Sequence, residues 1–235
     1  EMKAELFLGR QINLERARLA ALTNDFKTLT EEITREAGDY VLDECEIVSY
    51  KTADNNKPLS VDMRGIVASI EITESIFEES MVGKLQVYDA QDVRTILPIT
   101  GFEKLNLKFS TPGLPGIDFT EESGKQFYVY KIARINQDPA AQRSQGYDIY
   151  FTSKEYYYNF LTKVSRAYEG PIEIAIEDIL RNKKYLNSTR ALFFEPTKTN
   201  AKYVIPNLRP FDAINYLCAQ SLYKKYKNAG YVFYE

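Results

Sequence analysis

The chain has 235 residues, a mass of 27.1 kDa and a net charge of -3, with 44% hydrophobic and 13% aromatic residues. That length suits one large domain or two modest ones, and the apolar content argues against wholesale disorder. There is no histidine, which excludes a serine–histidine or cysteine–histidine triad and every histidine metal site.

The first element is a helix. Leu8, Ile12, Glu15, Leu19, Leu22, Phe26, Leu29 and Ile33 recur on alternating four- and three-residue steps, the a/d seam of a coiled coil with Glu15 as its one polar member. Gly38 is a suitable stop. Two readings stay open: the seam packs on the chain's own domain, or it joins helices of other chains. These eight residues are the candidate interface.

After Gly38 the apolar period changes to two. Ile66, Ala68, Ile70 and Ile72 share one face, and Leu85 with Val87, Leu105 with Leu107 and Phe109, and Tyr147 with Ile149 and Phe151 alternate with polar neighbours. Half-buried antiparallel strands read this way. Breakers at Asp54-Asn55-Asn56, Pro112-Gly113 and Asn136–Gly146 separate them. A meander or small barrel follows.

Lys154 to Tyr168 then reads as a helix, and Gly170-Pro171 opens another with the stripe Ile172, Ile176, Ile179 and Leu180. Residues 187–209 read as loop. Pro210 opens a third helix, with Phe211, Ile214, Leu217, Cys218 and Leu222 on one stripe and Asn228-Ala229-Gly230 at its end. Tyr231-Val232-Phe233-Tyr234 begins a strand, so the protein is expected to continue past Glu235. The fold class expected is α+β. Its domains are an N-terminal helix at 1–40, a β-barrel at 41–153, and a helical segment at 154–235 that starts a second, mixed domain.

Few residues suggest chemistry. The carboxylate pairs Glu31/Glu32, Glu78/Glu79, Glu121/Glu122 and Glu177/Asp178 could serve a hydrolase only if folding set one pair in a cleft. Gly113-Leu114-Pro115-Gly116 lacks the lysine and helix of a phosphate loop. Cys45 and Cys218 are too few for a disulfide scaffold and fit a reducing compartment. Asn187-Ser188-Thr189 matches a glycosylation pattern by chance. Tyr156, Tyr157 and Tyr158 suit a core or an interface better than a nucleic-acid platform. No catalytic, cofactor or metal residue is assigned, and no segment is apolar for long enough to span a membrane. Charge is uneven: residues 39–79 hold ten acids against three bases, and residues 181–227 hold ten bases against two acids. This reads either as two solvated faces or as complementary surfaces of an assembling protein.

Val61-Asp62-Met63-Arg64-Gly65-Ile66-Val67-Ala68-Ser69-Ile70-Glu71-Ile72, then Gly83-Lys84-Leu85-Gln86-Val87-Tyr88-Asp89, then Ile99-Thr100-Gly101-Phe102-Glu103-Lys104-Leu105 resemble the first tube-like domain of phage baseplate central hub proteins. Ser153-Lys154-Glu155 followed by Asn159 resembles the strand-to-helix exit of that family, and Ile172–Leu180 and Phe211–Tyr223 its next helices. The layout is shared with the spike proteins of type VI secretion systems. The resemblance covers about residues 45–235 and does not include the N-terminal helix.

It implies a non-enzymatic virion protein of a contractile injection system, assembled in the host cytoplasm, without cofactors. This central hub, with a tail-tube-like barrel, would join the tail tube to the central spike as part of a ring. The partners implied are further copies of the chain, as a homotrimer carrying a second tube-like barrel beyond Glu235, with the spike, the tail tube or its initiator, and other baseplate proteins. The tape-measure protein is a further candidate; neither nucleic-acid recognition nor membrane insertion is implied. The alternatives are a tail-tip cell-wall hydrolase using paired carboxylates, or a receptor- or sugar-binding module using aromatics such as Tyr128, Tyr130 and Tyr156.

Overall fold

A computed structural model describes residues 40–235 except 53–57, 91, 98, 112–115, 138–144, 199 and 226–229. Eight strands make one antiparallel sheet: β1 (Val41–Thr52), β2 (Pro58–Asp62), β3 (Val67–Thr73), β4 (Val82–Asp89), β5 (Lys104–Ser110), β6 (Ile117–Phe119), β7 (Phe127–Gln137) and β8 (Gln145–Ser153). Their order is β2-β1-β5-β7-β8-β4-β3, with β6 added on β5. A short helix, α1 (Val93–Ile96), links β4 to β5. Alternation sends Ile47, Leu85, Leu107, Val129, Ile149 and Phe151 to one side, where they form a shared core.

β2 and β3 lie at opposite ends of this order, yet residues 63–66 alone separate them. That stretch reaches no more than about 18 Å, so the sheet curls until its two edges meet at a single bent strand. The bend has a local cause. Asp62 Oδ1 accepts from the backbone N of Arg64 at 3.0 Å, and the Met63 carbonyl accepts from the N of both Ile66 and Val67 at 3.0 Å. Met63 itself is fully buried and pins the bend to the core. On one side Met63 N donates to Cys45 O of β1 at 2.7 Å, and on the other Ile66 O accepts from Tyr88 N of β4 at 2.9 Å.

The second part packs α2 (Lys154–Leu161), α3 (Ile172–Arg181) and α4 (Pro210–Ala219) with a two-stranded antiparallel sheet of β9 (Val164–Pro171) and β10 (Asn200–Leu208). Its own core includes Val164, Ile176, Ile179, Ile205, Phe211 and Leu217.

The expected α+β class led by a long helix is corrected. The described residues are mostly antiparallel sheet, with helices of four, eight, ten and ten residues. The N-terminal helix and its seam, Leu8, Ile12, Glu15, Leu19, Leu22, Phe26, Leu29 and Ile33, lie outside the described residues. The helix expected over Lys154–Tyr168 stops at Leu161. Beyond it Val164–Pro171 pairs with Asn200–Leu208, within the stretch that reads as loop. Ladder bonds to a distant strand outweigh the weak helical preference of Val164, Ser165 and Tyr168. α4 ends at Ala219, because Tyr223 turns back to bridge Thr197. Tyr231–Tyr234 is not a strand; Tyr231 and Phe233 pack their rings against the second core.

Candidate functional site

The stretch Ile99–Glu103 folds into a turn built around one carboxylate. Glu103 is fully buried. Its Oε1 accepts from Thr100 N at 2.9 Å and Thr100 Oγ1 at 3.0 Å, and its Oε2 from Gly101 N at 2.8 Å and Phe102 N at 3.0 Å. Gly101 takes the left-handed conformation (φ 97°) that lets consecutive N–H groups converge on one anion. The Glu103 carbonyl also accepts from Val129 N at 2.9 Å, tying the turn to β7.

This turn turns Phe102 outward. Phe102 is 57% exposed and meets Tyr50 of β1 and Tyr157 of α2 edge-on, with ring centres 6.0 and 6.5 Å apart. Tyr157 stacks on Tyr128 of β7 at 4.8 Å. An aromatic band thus crosses from the sheet to the second part of the chain. Burial, then the neighbouring Tyr158 phenol, pushes the Tyr128 hydroxyl well above the ordinary tyrosine range.

The joint between sheet and helices is polar. Ser153 caps α2, its hydroxyl lies 2.6 Å from that of Ser80, and Asn159 Oδ1 accepts from Phe211 N at the start of α4 at 2.8 Å. Glu155 accepts from the Ser188 hydroxyl at 2.6 Å. Arg190 lies between two buried carboxylates, 3.3 Å from Glu155 and 2.6 Å from Glu235. Burial raises the Glu235 carboxyl pKa; Arg190 pulls it down, and Glu155 pushes it up.

The outer face of β1, β2 and β6 is acidic. Register sets Glu46 opposite Asp62, and Lys108 of β5 between Glu44 and Asp118. Burial raises the Glu44 carboxyl pKa, as do Glu46, Asp118 and Glu122, against the single opposing effect of Lys108. Asp62 differs: despite burial, hydrogen bonds from Arg64 hold it below the usual carboxylate range.

Glu31 and Glu32 lie outside the described residues, and the three described carboxylate pairs do not converge. Glu78, Glu121, Glu122 and Glu177 are exposed, Glu79 accepts from Asn215 at 2.8 Å, and Asp178 accepts from Arg166 at 2.9 Å and Tyr168 at 2.7 Å. Tyr128 is buried in the aromatic band, while Tyr130 is 45% exposed. Cys45 lies in the core, where burial pushes its thiol up to about 12, and burial raises Cys218 too. Among the described residues there is no group of three or more Cys, Asp or Glu placed to hold a metal, and no helix is long and apolar enough to cross a membrane. Sequence reasoning missed Arg190 and Glu235 as partners. Glu103, Glu155 and Asn159 lay inside quoted motifs, but their bonds are visible only in three dimensions.

No protein family and no curated protein matches the chain. Solved structures do. One is the 43 kDa tail protein of prophage MuSo2 from Shewanella oneidensis, with 14% identity and a TM-score of 0.48, covering 77% of this chain and 48% of that one. Another is the E. coli c3393 protein, a component of the type VI secretion system described as structurally similar to the T4 bacteriophage tail proteins gp27 and gp5, with 9% identity and a TM-score of 0.41, covering 77% of this chain and 43% of that one. A third is the Francisella PdpA–VgrG complex, with 14% identity and a TM-score of 0.36, covering 80% of this chain and 26% of that one. The chain spans about half the length of these proteins or less. By these descriptions the first is a phage tail protein and the second a type VI secretion component.

Proposed function

We propose that the chain is a structural subunit of the central hub of a contractile tail baseplate, lying in the virion tail and acting without catalysis. The observation that carries this reading is the bent strand. The residues that resemble the hub family, Val61–Ile72, form one strand that bends at Met63–Ile66 and serves both edges of a curled sheet. A sheet curled in this way presents a continuous wall, and a ring of such walls is what a tube-to-spike joint requires. The third motif, Ile99–Leu105, is the Glu103 turn that fixes the start of β5 against β7. In this reading copies of the chain form a ring, a homotrimer as the resemblance implies, with the tail tube or its initiator on one side and the spike on the other. The N-terminal seam is proposed to bind helices of other baseplate chains. Mass spectrometry of purified tails, with symmetry-averaged electron microscopy, tests the assignment. The chain should lie on the tail axis between tube and spike; a position on fibres or in a soluble fraction refutes it.

A further inference from the structure

Phe193 is 95% exposed, the most exposed of the large hydrophobic residues described. The loop that carries it is nonetheless braced on three sides. Tyr231 Oη donates to the carbonyls of Glu195 at 3.2 Å and Pro196 at 3.0 Å. Thr197 Oγ1 donates to Glu173 of α3 at 2.7 Å. Lys198 N donates to Leu222 O at 2.8 Å, and Lys224 N to Pro196 O at 3.2 Å. The last two bonds set the exposed Lys198 and Lys224 on adjoining strands of backbone, beside Phe194 and Leu222, each 41% exposed. An aromatic ring held out by a fixed loop and flanked by lysines has the make-up of an interface anchor, since little conformational entropy remains to be lost on docking.

The same molecule carries a surface of matching chemistry. Asp43, Glu44, Glu46, Asp62 and Arg64, with Cys45, line an open depression of about 320 Å³ on β1 and β2. The register of β5 with β6 adds Asp118 to this face. Arg64 is engaged by Asp62, and Lys108 by Asp118. Acids therefore outnumber local bases, and burial, with their mutual repulsion added, raises the Glu44 carboxyl pKa.

We propose that the Phe193 loop of one copy docks on this acidic face of a second copy, its lysines facing the carboxylates and its aromatic ring entering the depression. The contact joins two different surfaces of the same chain. A head-to-tail interface of that kind closes into a ring or runs on as a filament, and never stops at a symmetric dimer. The inference rests on the ring-subunit reading above and names the two surfaces involved.

The test is sedimentation of the full chain at low and high salt, comparing the parent with Phe193→Ala, Lys198→Glu/Lys224→Glu, and Asp43→Lys/Glu122→Lys. All these positions are exposed, and unchanged thermal unfolding confirms that each variant folds. Self-association should weaken with salt, and each variant should weaken it by about tenfold or more. Combining the reversed lysines with the reversed acids should restore it. Association that ignores these changes, failure of the combined reversal to rescue, or a chain that stays monomeric throughout overturns the inference. Particle reconstruction separates it from the hub assignment. A ring on the tail axis with neighbours meeting elsewhere refutes the docking alone, whereas salt-sensitive docking by a chain missing from tails refutes the hub assignment alone.

Discussion

Replacing Glu103 by Gln removes one charge from a site that has four donors and no solvent. The carboxylate accepts from three backbone N–H groups and one hydroxyl at 2.8–3.0 Å. An amide keeps one acceptor oxygen, which can serve Gly101 and Phe102. Its NH2 can donate to Thr100 Oγ1, but then it confronts the Thr100 N–H, which is left without an acceptor. An orphaned buried donor costs about 1–3 kcal/mol, and the surviving bonds lose their charge assistance. The expected total is about 2–3 kcal/mol, a fall in melting temperature of about 4–12 °C for a chain of this size. Glu121→Gln, which disturbs an exposed pair with Lys104, should cost no more than about 0.5 kcal/mol. The chain has no tryptophan, so urea unfolding is best followed by far-ultraviolet circular dichroism. Hydrogen exchange should quicken at Gly101, Phe102 and Val129. Equal stability of Glu103→Gln and the Glu121→Gln control would refute the reasoning, because the buried carboxylate would then not be organising the turn.

Gly83 sits under the Phe151 ring, where an added Cβ would come within 2.2 Å of Phe151 Cζ and 2.8 Å of Glu71 O. Gly83→Ala should therefore destabilise by about 1–3 kcal/mol, and a gain in chemical-denaturation stability would show that the ring has room to move. The raised pKa of Glu235 means that the folded protein holds this proton more tightly than the unfolded chain. The resulting stabilisation is full below the ordinary carboxylate range and is lost as pH rises through the raised value. A pH series of unfolding free energies should show this fall for the parent and not for Glu235→Gln; parallel curves would remove Glu235 as its source. A peptide of residues 1–38 should gain helicity with concentration, more so with Glu15→Leu. Circular dichroism that is independent of concentration for both peptides excludes self-association through the seam.

The alternation of apolar and polar residues was enough to locate β3, β4, β5 and β8, because period two is a local property and each strand buries one face. The start of α3 was equally legible, since proline suits a helix entry and Ile172, Ile176 and Ile179 recur on one side. β9 and β10 were not legible. Each became a strand by pairing with a segment distant in sequence, and that partner leaves no mark in either stretch alone. The motifs around Glu103, Glu155 and Asn159 could be seen in the sequence, but not what they bond. The four donors to Glu103 converge because Gly101 reverses the chain, and Arg190 meets Glu155 and Glu235 because separate elements meet at one joint. Residue types and their spacing determined which segments would bury a face. Tertiary structure alone decided which edges the bent strand joins and which carboxylates lose their water, because both depend on contacts between residues far apart in the chain.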